Sequence, residues 1–343
     1  MKTPLSFDKL STAFRKLPGD LSVTLADESN TVRNEEYGIR ISGSNEIIGV
    51  ELRPEVSTTV VEHMAMRGKN ERRLVFAPYV NPTCADRLRK HGLSFVDQTG
   101  NAFLKIQGVY LFISRDVPKT ERPGNPSKGT KRKFKESTLR LAYAFLTDTA
   151  TGDSTLLNQP YRRMNEVCGV AVGSIGMVIE DLMAEGFVEE LEPGVRRLEK
   201  REKLLERWVQ EYVQRLRPKL IVEHYRPPGH DWAERIQKHA CPGLWGGEVA
   251  GARLTGYLVP ETATIYASRL DNTFIVENDL RKDPAGSVEV LRPFWPAAEH
   301  KSQKGCAHPL IVYADLMATA IDRNLETARR IYDKYLQALV TSD

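Results

Sequence analysis

The residue types best suited to chemistry fall in three places. Asp97 is followed by Lys105 on what reads as the next strand, the order of a restriction-type, metal-dependent nuclease. That chemistry needs two carboxylates on Mg²⁺ and a lysine beside the attacked phosphate. The position two before Lys105 is Phe103 rather than an acid, so the pattern is broken and Asp97 is expected to cap the turn through Gly100 and Asn101. His239-Ala240-Cys241 and Cys306-Ala307-His308 supply zinc-type ligands, but one intervening residue is tighter than the usual ligand spacing. With no CxxC pair, Cys84, Cys168, Cys241 and Cys306 are expected to be reduced, and Cys168 to be a small core residue. Accordingly no catalytic residue, metal or cofactor is assigned. The third set is basic: Lys131, Arg132 and Lys133, then Arg162 and Arg163, then Arg196, Arg197 and Lys200. Such a set suits phosphate neutralisation, with salt-sensitive binding to nucleic acid.

The elements that would position this basic set run from Glu136 to Lys200 and read as a winged helix-turn-helix. Leu139, Ala142, Tyr143 and Leu146 mark one face of a first helix. Pro160 opens a second, which Gly169 ends; Ile175, Val178, Ile179 and Leu182 mark a third, stopped at Gly186. Phe187 to Leu191 and Val195 to Leu198 read as a hairpin around Glu192-Pro193-Gly194, the wing. In such a unit the third helix enters the major groove while the second helix and wing grip phosphates. The outward residues at its start are Val172, Gly173, Ser174, Gly176 and Met177, with no long polar side chain for a bidentate base contact. Base reading is therefore expected to be modest, with close backbone approach at the two glycines and Ser174 as the hydroxyl available there, and Met177 belongs to the same DNA-binding set. The same unit could instead serve protein contact, since fold does not dictate use.

At 343 residues the chain is long for one domain. A net charge of +4 is mild, so any nucleic-acid signal comes from clustering. No apolar signal core or membrane-length segment is present, and a cytoplasmic protein is expected. Residues 1–116 read as an N-terminal α/β domain: a short helix at Phe7–Leu17, strands near 22–25, 36–41 and 47–52, and a helix at 56–66. A strand at 73–80, a helix at 82–91, a strand at 93–96 and a hairpin over 102–106 and 109–114 follow. A degenerate restriction-endonuclease-like fold is the reading that Asp97 and Lys105 suggest for it. Residues 117–135, VPKTERPGNPSKGTKRKFK, form a basic linker able to lie along phosphate as an arm. Residues 136–200 are the winged helix-turn-helix. Residues 201–343 read as a C-terminal α/β domain: a helix ending before Pro218, a strand near 220–224 and a helical run over Leu244–Tyr257. Strands at 264–267, 287–291 and 309–313 and a last helix from Asn324 to Leu339 complete it. The fold class is thus multidomain α+β.

Two runs of this last region, WGGEVAGARLTGYLVPETATIYAS and HPLIVYADLMATAIDRNLETARRIYDKYL, resemble the AbiEi-type antitoxins and transcriptional regulators of type IV toxin-antitoxin systems, over roughly Lys219 to Leu339. The resemblance implies a DNA-binding repressor of its own operon, with duplex operator DNA as ligand. It also implies a genetic partner, a nucleotidyltransferase-like toxin opposed without a required stable complex. Better-known members have a simpler order, and here an extra domain precedes the winged helix, so a stand-alone regulator without antitoxin activity is the alternative, beside a metal-dependent nuclease. Repressors of this kind often pair on inverted repeats, a homo-oligomer on DNA. The Gly246-Gly247 pair is similar to the glycine turn of nucleotidyltransferases, but no Asp-x-Asp follows it to hold Mg²⁺.

Overall fold

The protein is described from a computed structural model, which covers all residues except 1–5, 20, 27–36, 67–71, 116, 119, 121, 124–132, 151–153, 230, 238–239, 297–303 and 342–343. The chain divides into two compact units, Met1–Arg132 and Lys133–Asp343.

The first unit is a mixed sheet with helices on both faces. Helix α1 (Phe7–Phe14) turns Leu10, Ala13 and Phe14 inward, and its helical path stops three residues short of Leu17, which is nonetheless buried. Strands β1 (Val23–Leu25), β2 (Tyr37–Ile41) and β3 (Ile47–Leu52) form an antiparallel meander. Helix α2 (Thr58–Met66) then crosses to β4 (Arg73–Ala77), and α3 (Pro82–Lys90) crosses to β5 (Ser94–Asp97), so β3, β4 and β5 run parallel. Parallel crossovers need helices, and strands covered on both faces read as nearly continuous apolar runs, as RLVFA at β4 does. The antiparallel pair β6 (Ala102–Ile106) and β7 (Val109–Ile113) completes the sheet, which among the described residues has the order β1-β2-β3-β4-β5-β6-β7. One face packs on α1 through Ile39, Ile48, Val50, Leu74 and Phe76. The other packs on α2 and α3 through Val75, Phe95 and Phe103. Helix α3 starts where Asn81 accepts a hydrogen bond from the Cys84 amide (2.9 Å) with Pro82 in the first turn.

The second unit begins with α4 (Glu136–Thr147), α5 (Tyr161–Cys168) and α6 (Val172–Ala184), followed by the hairpin β8 (Val188–Glu192) and β9 (Val195–Leu198). Helix α7 (Arg201–Glu211) runs on through a π turn at Tyr212–Leu216 into α8 (Arg217–Leu220). The helical path therefore does not end before Pro218. The wide turn immediately precedes α8, and Pro218 sits in the first turn of that helix. Strand β10 (Ile221–Arg226), α9 (Trp232–Ile236), β11 (Leu244–Gly246), α10 (Gly247–Thr255), β12 (Ala263–Tyr266), α11 (Asn272–Glu277), β13 (Arg281–Lys282) and β14 (Val288–Leu291) follow. The described strands pair in the order β11-β12-β14-β10-β13, with β12 parallel to β14. Helices α12 (Pro309–Thr319), α13 (Asp322–Ile331) and, after a π turn, α14 (Gln337–Thr341) end the chain.

Two expectations are corrected here. Residues 309–313 form the start of α12 rather than a strand: Pro309 occupies the first turn and the His308 Nδ1 accepts from the Leu310 amide at 3.1 Å. Because α12 is buried from Pro309 to Met317, its apolar run has no polar face, and a periodicity argument cannot tell it from a buried strand. The run from Leu244 is not one helix. Its first residues pair with β12, and Gly247 at φ +49 makes the break.

A single core joins α4 to the region beyond the hairpin. Trp208 donates its indole N–H to the Leu139 carbonyl at 2.8 Å and stacks on Tyr212, while the Tyr143 ring meets Phe294 edge-on.

Candidate nucleic-acid interface

Helices α5 and α6 meet at 94°. The corner is set locally: Gly169 adopts φ +68, its amide donates to the Asn165 carbonyl at 2.8 Å, and the Asn165 side chain donates to the Val170 carbonyl at 2.9 Å. Ile175, Val178, Ile179 and Leu182 bury one face of α6, as the spacing requires. On the other face Val172, Gly173 and Met177 are exposed and Ser174 is half-buried. A Cβ added at Gly173 would meet nothing within 4 Å, so this backbone is open to approach. Gly176 is different, because its position faces the Tyr161 ring at 3.6 Å and serves packing between α5 and α6.

The arginines are spread around this corner, and most already have partners. Arg162 and Arg163 are exposed on α5, with Arg163 3.2 Å from Glu166. On the hairpin Arg197 is held between Glu199 (2.5 Å) and Glu189 (3.1 Å), whose hydrogen bonds and charges, Glu199 foremost, raise its pKa further. Arg196 is half-buried; its amide donates to Asn158 Oδ1 at 2.7 Å, and its guanidinium sits 6.0 Å from the Tyr161 ring centre and 4.0 Å from Glu190. Lys200 is exposed and takes a left-handed conformation, φ +49, at the start of α7. From Val188 to Glu199 the sequence carries Glu189, Glu190, Glu192 and Glu199 against Arg196 and Arg197, so the hairpin is not a net cationic grip. An arginine there reaches phosphate only by exchanging a carboxylate for it. Lys133 is exposed ahead of α4, whereas Lys131 and Arg132 lie outside the described residues.

The residues weighed for catalysis are not brought together. The Asp97 carboxylate is fully buried and accepts from the Val80, Thr99 and Asn101 amides, the Thr99 hydroxyl and the Asn101 side-chain amide at 2.6–3.0 Å. Five donors saturate its lone pairs, leaving no site for a cation. Lys105 projects from β6 near the far end of β5, where its amide donates to Ser94 Oγ at 3.0 Å. Three residues of strand, about 10 Å, separate that level from Asp97. An acid-x-base pair that sequence reading passed over lies at the end of β3: the buried Glu51 and, one residue past the strand, the half-buried Arg53, paired with each other. Its only signal was a charged pair two apart at the end of an apolar strand.

In the second unit the Gly246-Gly247 turn closes on side chains. A Cβ at Gly246 would stand 2.5 Å from the Tyr266 ring and 3.0 Å from Asp315, and one at Gly247 2.5 Å from Thr264 Oγ1. The buried Asp315 carboxylate accepts from Tyr266 Oη (2.9 Å), Arg217 Nε (2.9 Å) and the Gly247 amide (3.3 Å). Arg217 also pairs with Glu289, which accepts from Thr264 Oγ1 at 2.7 Å. Burial and the charge on Glu289 hold the Asp315 carboxyl above its usual range against the pull of Arg217. The two acids keep the guanidinium protonated despite its own burial. Glu248 is likewise used structurally, accepting from Arg323 (2.9 Å), Asn324 (2.8 Å) and the Glu261 amide (2.6 Å). Burial pushes the Cys241 and Cys306 thiols up to about 11. Among the described residues no three metal-capable side chains converge; His239 lies outside them.

Residues 197–337 match the family model described as "Transcriptional regulator, AbiEi antitoxin, Type IV TA system". The resemblance read from the two C-terminal runs is borne out over that segment, which begins on β9 and ends in the last helix. The family is a regulatory one. No curated protein and no solved structure matches the chain. No single described helix is long and apolar enough to cross a membrane; α5 and α6 pass that test only when joined across their 94° bend.

Proposed function

We propose that the protein is a cytoplasmic, sequence-selective DNA-binding regulator that represses its own operon and acts as the antitoxin of a type IV toxin-antitoxin system. Residues 136–200 are its winged helix-turn-helix, α6 the reading helix and β8–β9 the wing; 117–135 is the basic arm, 201–343 the antitoxin domain and 1–116 an accessory domain. The observation that carries the DNA reading is the open first turn of α6 around Gly173, presented at a right-angled corner beside Arg162 and Arg163. The match over residues 197–337 supports the regulator and antitoxin roles, and the type IV description implies a toxin partner, which the resemblance makes nucleotidyltransferase-like. Backbone contacts would come from Lys131, Arg132, Lys133, Arg162, Arg163, Arg196, Arg197 and Lys200, and base contacts from Gly173, Ser174 and Met177. Pairing of two copies on an inverted repeat fits such a unit.

The test is affinity for the region upstream of its own gene against scrambled duplex at two salt concentrations. Operator preference with a steep salt dependence is expected; equal affinity for both DNAs at moderate salt overturns the reading. Gly173→Leu should abolish the preference without harming the fold, because the position is open. A second reading has its own support: Val172, Met177 and Leu191 are exposed apolar residues beside an acidic hairpin, which suits a protein partner. Stable co-purification of the neighbouring gene product, lost on Met177→Glu, would favour it.

A further inference from the structure

The β6–β7 face of the first unit carries a recognition surface that the reading above does not use and does not depend on. Lys105 stands opposite Tyr110, and Phe103 opposite Phe112, so all four side chains share one face of the sheet. Tyr110 is 76% exposed and Phe112 38%, whereas Phe103 is buried. The Phe103 ring meets Tyr110 and Phe112 edge-on, 6.1 and 6.4 Å between centres, and so fixes both outer rings from the sheet side. Arg89, in the last turn of α3, lies 4.6 Å from the Phe112 ring centre, and Lys90 and Lys105 are exposed. The apolar cluster beneath α2 and α3 reaches Phe103 and includes no residue of β7, the terminal described strand.

We propose that this face binds single-stranded DNA, with unpaired bases stacked on Tyr110 and Phe112 and phosphates held by Arg89, Lys90 and Lys105. Rings interleaved with cations suit nucleic acid, because every base offers a π face and the backbone is anionic. A protein-docking patch is instead depleted of charge at its centre. The acid beside the patch, Asp86, already lies 3.3 Å from Arg89. Paired bases hide their faces, which selects single strands. No group on this face is placed so as to require a 2′-hydroxyl, so deoxyribose suffices and single-stranded DNA is the occupant proposed.

Fluorescence anisotropy of the full chain with a labelled oligothymidine of about 15 nucleotides tests this, a length within one platform's usual reach. Tyr110→Ala should weaken binding about tenfold or more, the loss of one stacked base, and Tyr110→Phe should not. Lys105→Gln should lower the slope of log affinity on log salt, while Arg162→Ala on α5 should leave oligothymidine binding unchanged. Tyr110 is exposed enough for its alanine variant to fold, which far-UV circular dichroism checks. The proposal is overturned by no binding at low salt, by equal affinity of Tyr110→Ala, or by tighter binding of oligouridine. Sedimentation of a wild-type dimer that Tyr110→Ala turns into a monomer would assign the face to a second copy of the chain instead.

Discussion

Asp97 in the first unit and Asp315 in the second are both carboxylates removed from water, and they are accommodated in opposite ways. Asp97 is surrounded by neutral donors, all but one supplied within four residues of itself, with the Val80 amide as the exception. Asp315 draws on α8, β11–α10, β12 and the π turn, and shares the Arg217 cation with a second acid, Glu289. The first arrangement locks a turn. The second fastens the helix leading from the hairpin onto the C-terminal sheet. Neutral donors make a carboxylate locally indispensable, whereas a shared cation makes distant elements depend on one another.

The largest effect should come from removing that cation. Arg217→Ala leaves the buried Asp315 and the half-buried Glu289 without their partner and should cost about 3–5 kcal/mol. All four tryptophans, Trp208, Trp232, Trp245 and Trp295, lie in the second unit, so chemical denaturation followed by tryptophan fluorescence reads it directly. Adding Asp315→Asn should recover part of the loss; a further loss instead would mean that the two side chains do not act as a pair. Asp97→Ala should come next, at about 3 kcal/mol for stranding several buried donors. Hydrogen exchange at Val80, Thr99 and Asn101 would rise, and unchanged protection there would refute the saturated-turn account.

Acid should separate the two units. Burial pushes Glu62 up, but hydrogen bonds and charge from His91 (2.9 Å) and Arg87 (2.5 Å) outweigh it and hold its pKa below the ordinary value. Its contribution is therefore present above the unfolded pKa of about 4.3 and is lost as pH falls through the lower folded value. Asp315 has the opposite sign: with its folded pKa raised, the native state is penalised progressively as pH rises from the unfolded value of about 3.9 through the folded one, and acid removes the penalty. On titration below about pH 4, protection in α2 and α3 should fail before the tryptophan signal changes, and Glu62→Gln should remove that pH dependence. Loss of the tryptophan signal first would reverse the assignment. The smallest effect is expected at the exposed pairs: Arg163→Ala and Arg197→Ala should leave the unfolding midpoints unchanged. Any loss of DNA affinity in these variants then belongs to binding rather than folding.

Much of the chain was legible because its signals are local. The Asp97-Gln98-Thr99-Gly100-Asn101 turn is made by side chains bonding to backbone a few residues away, and Gly169, Gly186 and Gly194 adopt positive φ where their type permits it. The helices α4, α5 and α6 and the hairpin follow from apolar spacing of the kind that one buried face imposes. Other features depend on what each segment meets in three dimensions. Pro309–Thr319 is helical yet apolar on every side, and Leu244–Gly246 is a strand because β12 lies beside it. Arg196 and Arg197 read as free cations in one dimension but are answered by glutamates across the hairpin and beyond its end. Tyr110 and Phe112 look like ordinary strand residues, but they lie exposed on the terminal described strand of the sheet. Residue type and short-range spacing determine backbone geometry because those forces act within a turn of chain. Charge pairing, burial and exposure depend on neighbours tens of residues away, and only the folded unit supplies them.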